Sequence, residues 1–124
     1  MFNRLRFRAG GTPAAMMSPQ DAIRGAQEGS VTVIDIREHA EVAQTGKAKG
    51  ALHIPLMQLL NAADPNNPDS HPELSPDRTI AVYCASGARA NGALTMLRQH
   101  GYTDVHNIGG LAHWHQAGGE LERA

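Results

Sequence analysis

The chain has 124 residues, 41% hydrophobic, 19% charged and 4% aromatic, with a formal net charge of -1 and one cysteine. At roughly 100 to 200 residues per domain this is one domain around one core, and two independent catalytic domains are excluded. A lone cysteine excludes an internal disulfide, so a reducing compartment is expected and the thiol is either an inert core atom or a reagent.

The first residues, MFNRLRFRAGG, lack the apolar stretch of a secretory signal, and no run reaches the roughly 20 residues that cross a bilayer. A soluble, cytoplasmic protein without a membrane partner is expected. The near-neutral charge argues against a nucleic-acid partner. Residues 1–12 read as a basic segment, disordered or a short edge strand, in which Arg4, Arg6 and Arg8 alternate with apolar residues, and residues 13–124 read as the domain.

Ser18 followed by Pro19, with Asp21 in the first turn, predicts a helix start, and Gly29 its end. Val31 to Ile36 (VTVIDI) is β-branched and nearly continuously apolar, as a strand covered on both faces should be. A helical turn over about Glu38 to Gln44 follows, closed by Gly46. Ala51 to Ile54 reads as a second strand that stops at Pro55, which can open a helix through Leu56, Leu59 and Leu60. Residues 61–78 carry Pro65, Pro68, Pro72 and Pro76 among Asn, Asp and Ser, and read as a long surface loop.

Thr79 to Tyr83 (TIAVY) is the clearest buried strand. A six-residue loop leads to a helix over about Ala90 to His100, with Gly101 beyond its end. Asp104 to Ile108 gives the last strand and Leu111 to Ala117 the last helix. Strands separated by helices imply an α/β domain with a mostly parallel sheet covered on both faces. In such sheets ligands sit outside the carboxyl ends of the strands.

The cysteine falls at that place, where Cys84-Ala85-Ser86-Gly87-Ala88-Arg89 joins a strand to a helix. Small residues, with Gly87 free to take positive φ, let backbone N–H groups turn inward as an anion-binding nest. The next helix aims its N-terminus at the same spot, and Arg89 adds a guanidinium. Each favours thiolate over thiol, so Cys84 is expected to be nucleophilic at neutral pH. Taken alone, a cysteine ending a buried strand is more often a small core hydrophobe. The Ser, Gly and Arg that follow it shift the reading to a reagent.

Seven histidines invite a metal reading, but His113 and His115 lie two apart and point to different faces of a helix. No metal is expected, and His53 reads as a hydrogen-bonded core or loop residue.

Three stretches carry a resemblance to the single-domain rhodanese family of sulfurtransferases, spanning about Met17 to Leu121. VIDIREHAE at 33–41 resembles its Asp-x-Arg-Glu-x-x-Glu segment, YCASGAR at 83–89 its active loop, and NIGGLAHWHQAG at 107–118 its closing Gly-Gly-x-x-x-Trp segment. The resemblance implies a rhodanese-like three-layer sandwich, with a mostly parallel sheet of about five strands flanked by helices on both faces. Two departures stand out. Lys47 and Lys49 replace the His and Pro of the family's Gly-His-Ile-Pro-Gly-Ala, and Ala85 replaces a frequent arginine, which removes a positive charge that would attract a dianion such as thiosulfate.

Related phosphatases place five residues between Cys and Arg; here there are four, Ala85 to Ala88, a ring sized for a sulfur atom rather than a phosphoryl group. The resemblance thus implies a thiosulfate sulfurtransferase working through a Cys84 persulfide. Ala85, Ser86, Gly87, Ala88 and Arg89 would bind substrate, and Asp35 and Arg37 would support the loops. The expected partners are a small sulfur donor and a cyanide, thiol or protein-thiol acceptor, with no cofactor. Gly109 and Gly110 are expected to permit a close turn below the loop, and Trp114 to pack as core. The alternatives are a catalytically idle protein-binding module and a redox sensor that needs an external thiol.

Overall fold

Ser18 opens helix α1 (Pro19–Glu28) by accepting the Asp21 amide at 3.1 Å, and Gly29, at φ 81°, closes it. The computed structural model describes residues 17–123, so the basic segment at 1–12 lies outside the described residues. Then come β1 (Val31–Asp35), α2 (His39–Thr45), β2 (Lys47–Ala48), β3 (Leu52–His53) and α3 (Leu56–Ala62). The second half holds β4 (Thr79–Cys84), α4 (Ala88–Gln99), β5 (Val105–Gly110), α5 (Leu111–Gln116) and β6 (Leu121–Glu122).

Four strands form a parallel sheet in the order β3-β1-β4-β5, with Ile34 opposite both Leu52 and Val82. The fold class is the expected α/β sandwich, but the sheet has four strands among the described residues, not about five. The short strands β2 and β6 pair instead with each other, antiparallel, in a separate ribbon. Two-residue strands carry no readable periodicity, so neither was expected. The ribbon accounts for the two unusual lysines: Lys47 Nζ meets Glu122 and the Ala51 carbonyl, and Lys49 Nζ meets Glu120.

Alternation along the central strands sends side chains to two apolar layers. Ile34, Ile36, Ile80, Val82 and Cys84 pack on one face with Leu59 and with Ala90, Ala93, Leu94 and Leu97 of α4. Val33, Ala81 and Tyr83 pack on the other with Ala22 of α1 and Trp114 of α5. Burying both faces, at roughly 25 cal/mol per Å² of apolar surface, is the main force fixing the register. The proline-rich connection begins at residue 63, two residues later than expected, because α3 keeps Asn61 and Ala62. It is pinned where Leu74 is buried and where Tyr102 donates to the Ala63 carbonyl at 3.1 Å.

Two boundaries near the cysteine differ from the sequence expectation. Helix α4 starts at Ala88 rather than about Ala90, because Gly87 at φ 102° turns the chain into it directly. Strand β5 runs two residues past Ile108 and carries a bulge: Val82 opposes Asn107 while Cys84 opposes Gly110. The extra residue on β5 re-aims the chain beneath the Cys84 loop.

Candidate active site

The carboxyl ends of β1, β3 and β4 come together, as Ile36 N donates to Tyr83 O at 3.2 Å and Ile54 N to Asp35 O at 2.9 Å. Cys84 is the last residue of β4, 0% exposed, with its side chain among the buried residues of the α3–α4 layer. The Gly87 amide donates to Cys84 Sγ at 3.0 Å, so the loop curls over the sulfur and faces it with a main-chain donor. The first N–H groups of α4, which have no partner within the helix, open at the same loop.

The loop is held from below by close backbone packing. A side chain at Gly110 would place its Cβ 2.0 Å from the Ala85 carbonyl oxygen, and one at Gly87 would sit 3.3 Å from Gly109 Cα. Gly109 itself lies at φ 95°, and His113 Nδ1 accepts the Gly110 amide at 2.8 Å. The expected close turn is therefore a floor in direct contact with the loop. Ala85, Ser86 and Ala88 point outward and are exposed.

Arg89 stands in the first turn of α4, with both terminal nitrogens on Glu41, 2.8 Å to each carboxylate oxygen. Glu41 also accepts the Glu38 amide at 3.0 Å, a cap on α2. The Arg89 hydrogen bonds, followed by that amide, hold the Glu41 carboxyl at about 2, far below its ordinary 4.5. In return Glu41 holds Arg89 above its usual value, despite partial burial. The guanidinium thus ties the loop to α2 and its charge is matched.

On the opposite face Asp35 and Arg37 pair with each other in the core. Asp35 accepts from Arg37 Nε and Nη2, from the Arg37 amide at 2.9 Å, and from the Tyr83 hydroxyl at 2.6 Å. Arg37 also donates to Thr45 Oγ1 and the Gly46 carbonyl, and the Ala48 amide donates to the Tyr83 hydroxyl. Burial opposes the Arg37 charge, but the bonds and charge of Asp35 outweigh it and hold Arg37 above its ordinary value. Burial, together with the bond to Asp35, pushes the Tyr83 phenol well up, so it serves as a donor at neutral pH. Both residues thus join β1 to β4 and α2 on the side of the sheet away from Cys84.

Sequence reasoning gave no role to Glu41, Asn107 or the Tyr83 hydroxyl. Glu41 was legible only as the last residue of the Asp-x-Arg-Glu-x-x-Glu segment. Asn107 contacts the loop from a distance of 20 positions, which leaves no local signal.

The rhodanese-like domain family matches residues 18–117, which include the loop, Glu41 and both glycines of the floor. The chain belongs to this family. A sulfurtransferase of Allochromatium vinosum is 39% identical over 71% of this chain and 75% of its own length. The Escherichia coli thiosulfate sulfurtransferase PspE is 35% identical over 63% of this chain and 68% of its own. Among solved structures, a Rhodopseudomonas palustris protein of unknown function, described as a possible tyrosine phosphatase, superposes with a TM-score of 0.75 at 31% identity. That likeness covers 86% of this chain and 83% of the other. Within this rhodanese-like domain no helix among the described residues is long and apolar enough to cross a membrane. No group of three His, Cys, Asp or Glu side chains among them could hold a metal ion.

Proposed function

We propose that this rhodanese-like domain is a sulfurtransferase that moves sulfane sulfur from a donor such as thiosulfate to a thiophilic acceptor through a persulfide on Cys84. The observation that carries the reading is the Gly87 amide 3.0 Å from Cys84 Sγ, within a loop that places four residues between Cys84 and Arg89. In the first step the Cys84 thiolate attacks the outer sulfur of thiosulfate. A new S–S bond forms, the donor's S–S bond breaks, and sulfite leaves with the electron pair. The Cys84 persulfide then bears its negative charge on the terminal sulfur, where main-chain donors of residues 85–89 receive it as an oxyanion hole receives an oxygen. In the second step cyanide, a small thiol or a protein thiol attacks that terminal sulfur, and the Cys84 thiolate leaves. Neither step uses a metal or cofactor, and a reducing, cytoplasmic setting suits a lone free thiol.

A second reading, a catalytically idle binding module of the same fold, is favoured by the complete burial of Cys84. One experiment separates the two. After incubation with thiosulfate, intact mass should rise by one sulfur atom on Cys84, and added cyanide should remove it as thiocyanate. Cys84→Ser should show neither while keeping its circular dichroism spectrum. Wild-type protein that gains no sulfur from any of several donors would favour the binding module. Transfer surviving in Cys84→Ser would remove Cys84 as nucleophile, and aryl-phosphate hydrolysis as fast as sulfur transfer would defeat the loop-length argument.

A further inference from the structure

Asn107 sits on β5 opposite Val82, two residues before Cys84 on the neighbouring strand and one step before the bulge. Its carboxamide reaches across to the far side of the loop. Nδ2 donates to the Gly87 carbonyl at 2.9 Å and to Asn91 Oδ1 at 2.9 Å, while Oδ1 accepts the Gly109 amide at 2.9 Å. The two main-chain contacts fix the carboxamide orientation: a flipped group would set its oxygen against the Gly87 carbonyl and its NH₂ against the Gly109 N–H.

The contacts converge on two glycines in the left-handed region, Gly87 at φ 102° and Gly109 at φ 95°. Gly87 is the residue whose amide faces the sulfur, and it lacks a side chain of its own to hold it there. A glycine at positive φ has more alternative conformations than any other residue, so its aim must come from a neighbour. Asn107 is placed to supply it, because the β4–β5 ladder locks Asn107 to the same strand that carries Cys84. It thereby sets the far end of the loop relative to the sulfur at the near end.

We propose that Asn107 is a positioning residue for sulfur transfer, holding Gly87 so that its N–H stays aimed at Cys84 Sγ. The inference rests on the sulfurtransferase reading for its effect on turnover, but its effect on the thiol can be read without any sulfur donor. Losing a direct oxyanion donor costs roughly 10²- to 10³-fold in rate, so a residue acting through such a donor should cost less, about tenfold.

The test compares wild type with Asn107→Ala and Asn107→Leu. The leucine keeps similar bulk, adds no charge, cannot donate to Gly87, and stands in should the alanine variant fail to fold. Two quantities are read: the pH at which iodoacetamide alkylation of Cys84 is half-maximal, and kcat/KM with thiosulfate and cyanide. The expected result is a half-maximal pH moved upward in both variants and kcat/KM lowered about tenfold, with an unchanged circular dichroism spectrum. Asn91→Ala, which leaves the Gly87 contact in place, should shift the alkylation profile less than either. Variants that alkylate with the wild-type profile, or lose activity only in proportion to lost folded protein, would overturn the proposal and leave Asn107 a structural residue. If wild type took sulfur from no donor, the sulfurtransferase reading would fall while the alkylation comparison still judged Asn107.

Discussion

Two arginine–carboxylate pairs brace the end of the sheet, and their surroundings differ. The side chains of Arg37 and Asp35 are 4% and 0% exposed, within a network that also includes Tyr83. Those of Arg89 and Glu41 are 36% and 33% exposed and join only the loop to α2. A buried pair recovers the cost of desolvation only while every partner is present, so losing one side leaves a stranded charge. A half-exposed pair lets water replace either partner, so it contributes little to stability and can still set where a loop lies. One pair therefore holds the scaffold and the other holds the geometry at the sulfur.

Removing half of the buried pair should give the largest effect. Arg37→Ala leaves the buried Asp35 carboxylate without its countercharge, with only the main-chain amide of residue 37 and the Tyr83 hydroxyl as donors, and should lower unfolding stability by about 3 to 5 kcal/mol in a urea titration. A loss below about 1 kcal/mol would show that the two pairs are alike in weight. Glu41→Gln should reverse the balance, with a stability loss of about 1 kcal/mol or less but sulfur transfer reduced several-fold. Equal loss in stability and activity would erase the distinction.

The same pair can be released by acid. Glu41 is held at about 2 when folded, against an ordinary 4.5, so its contribution is complete above pH 4.5. On acidification the unfolded chain takes up this proton first, and the contribution is lost as pH falls from 4.5 through about 2. Glu41→Gln should flatten that part of the stability profile. The smallest effect belongs to a third pair, Lys49 and Glu120, 63% and 74% exposed. Lys49→Ala should change the unfolding midpoint within error and leave transfer untouched.

The buried pair was within reach of sequence reading, since a charged doublet ending an apolar strand must find a partner. What the sequence hid was that Asp35 and Arg37 answer each other, and that a tyrosine hydroxyl 48 positions away completes the set. The ends of α1 were legible for a local reason: Ser18, Pro19 and Gly29 act on their own neighbours. The bulge in β5 and the ribbon of β2 and β6 depend on pairing between distant segments, which no short window contains. Helix α4 begins earlier than its residues suggest because Gly87 enters it without a capping side chain. For the loop itself, residue types and spacing pointed to Cys84 at the strand end and to Gly87, whose amide faces the sulfur. The attachments through Glu41 and Asn107 emerge only when the strands are in register.

The contact between Gly110 and the Ala85 carbonyl divides this small region into parts with different freedom to change over generations. No residue with a Cβ can occupy position 110 while the Ala85 oxygen stays where it is, 2.0 Å from where that atom would go. The side chains at positions 85, 86 and 88 are exposed and carry no such constraint from the floor. A lineage could thus redecorate the outer rim for a new reactant while inheriting the same foundation.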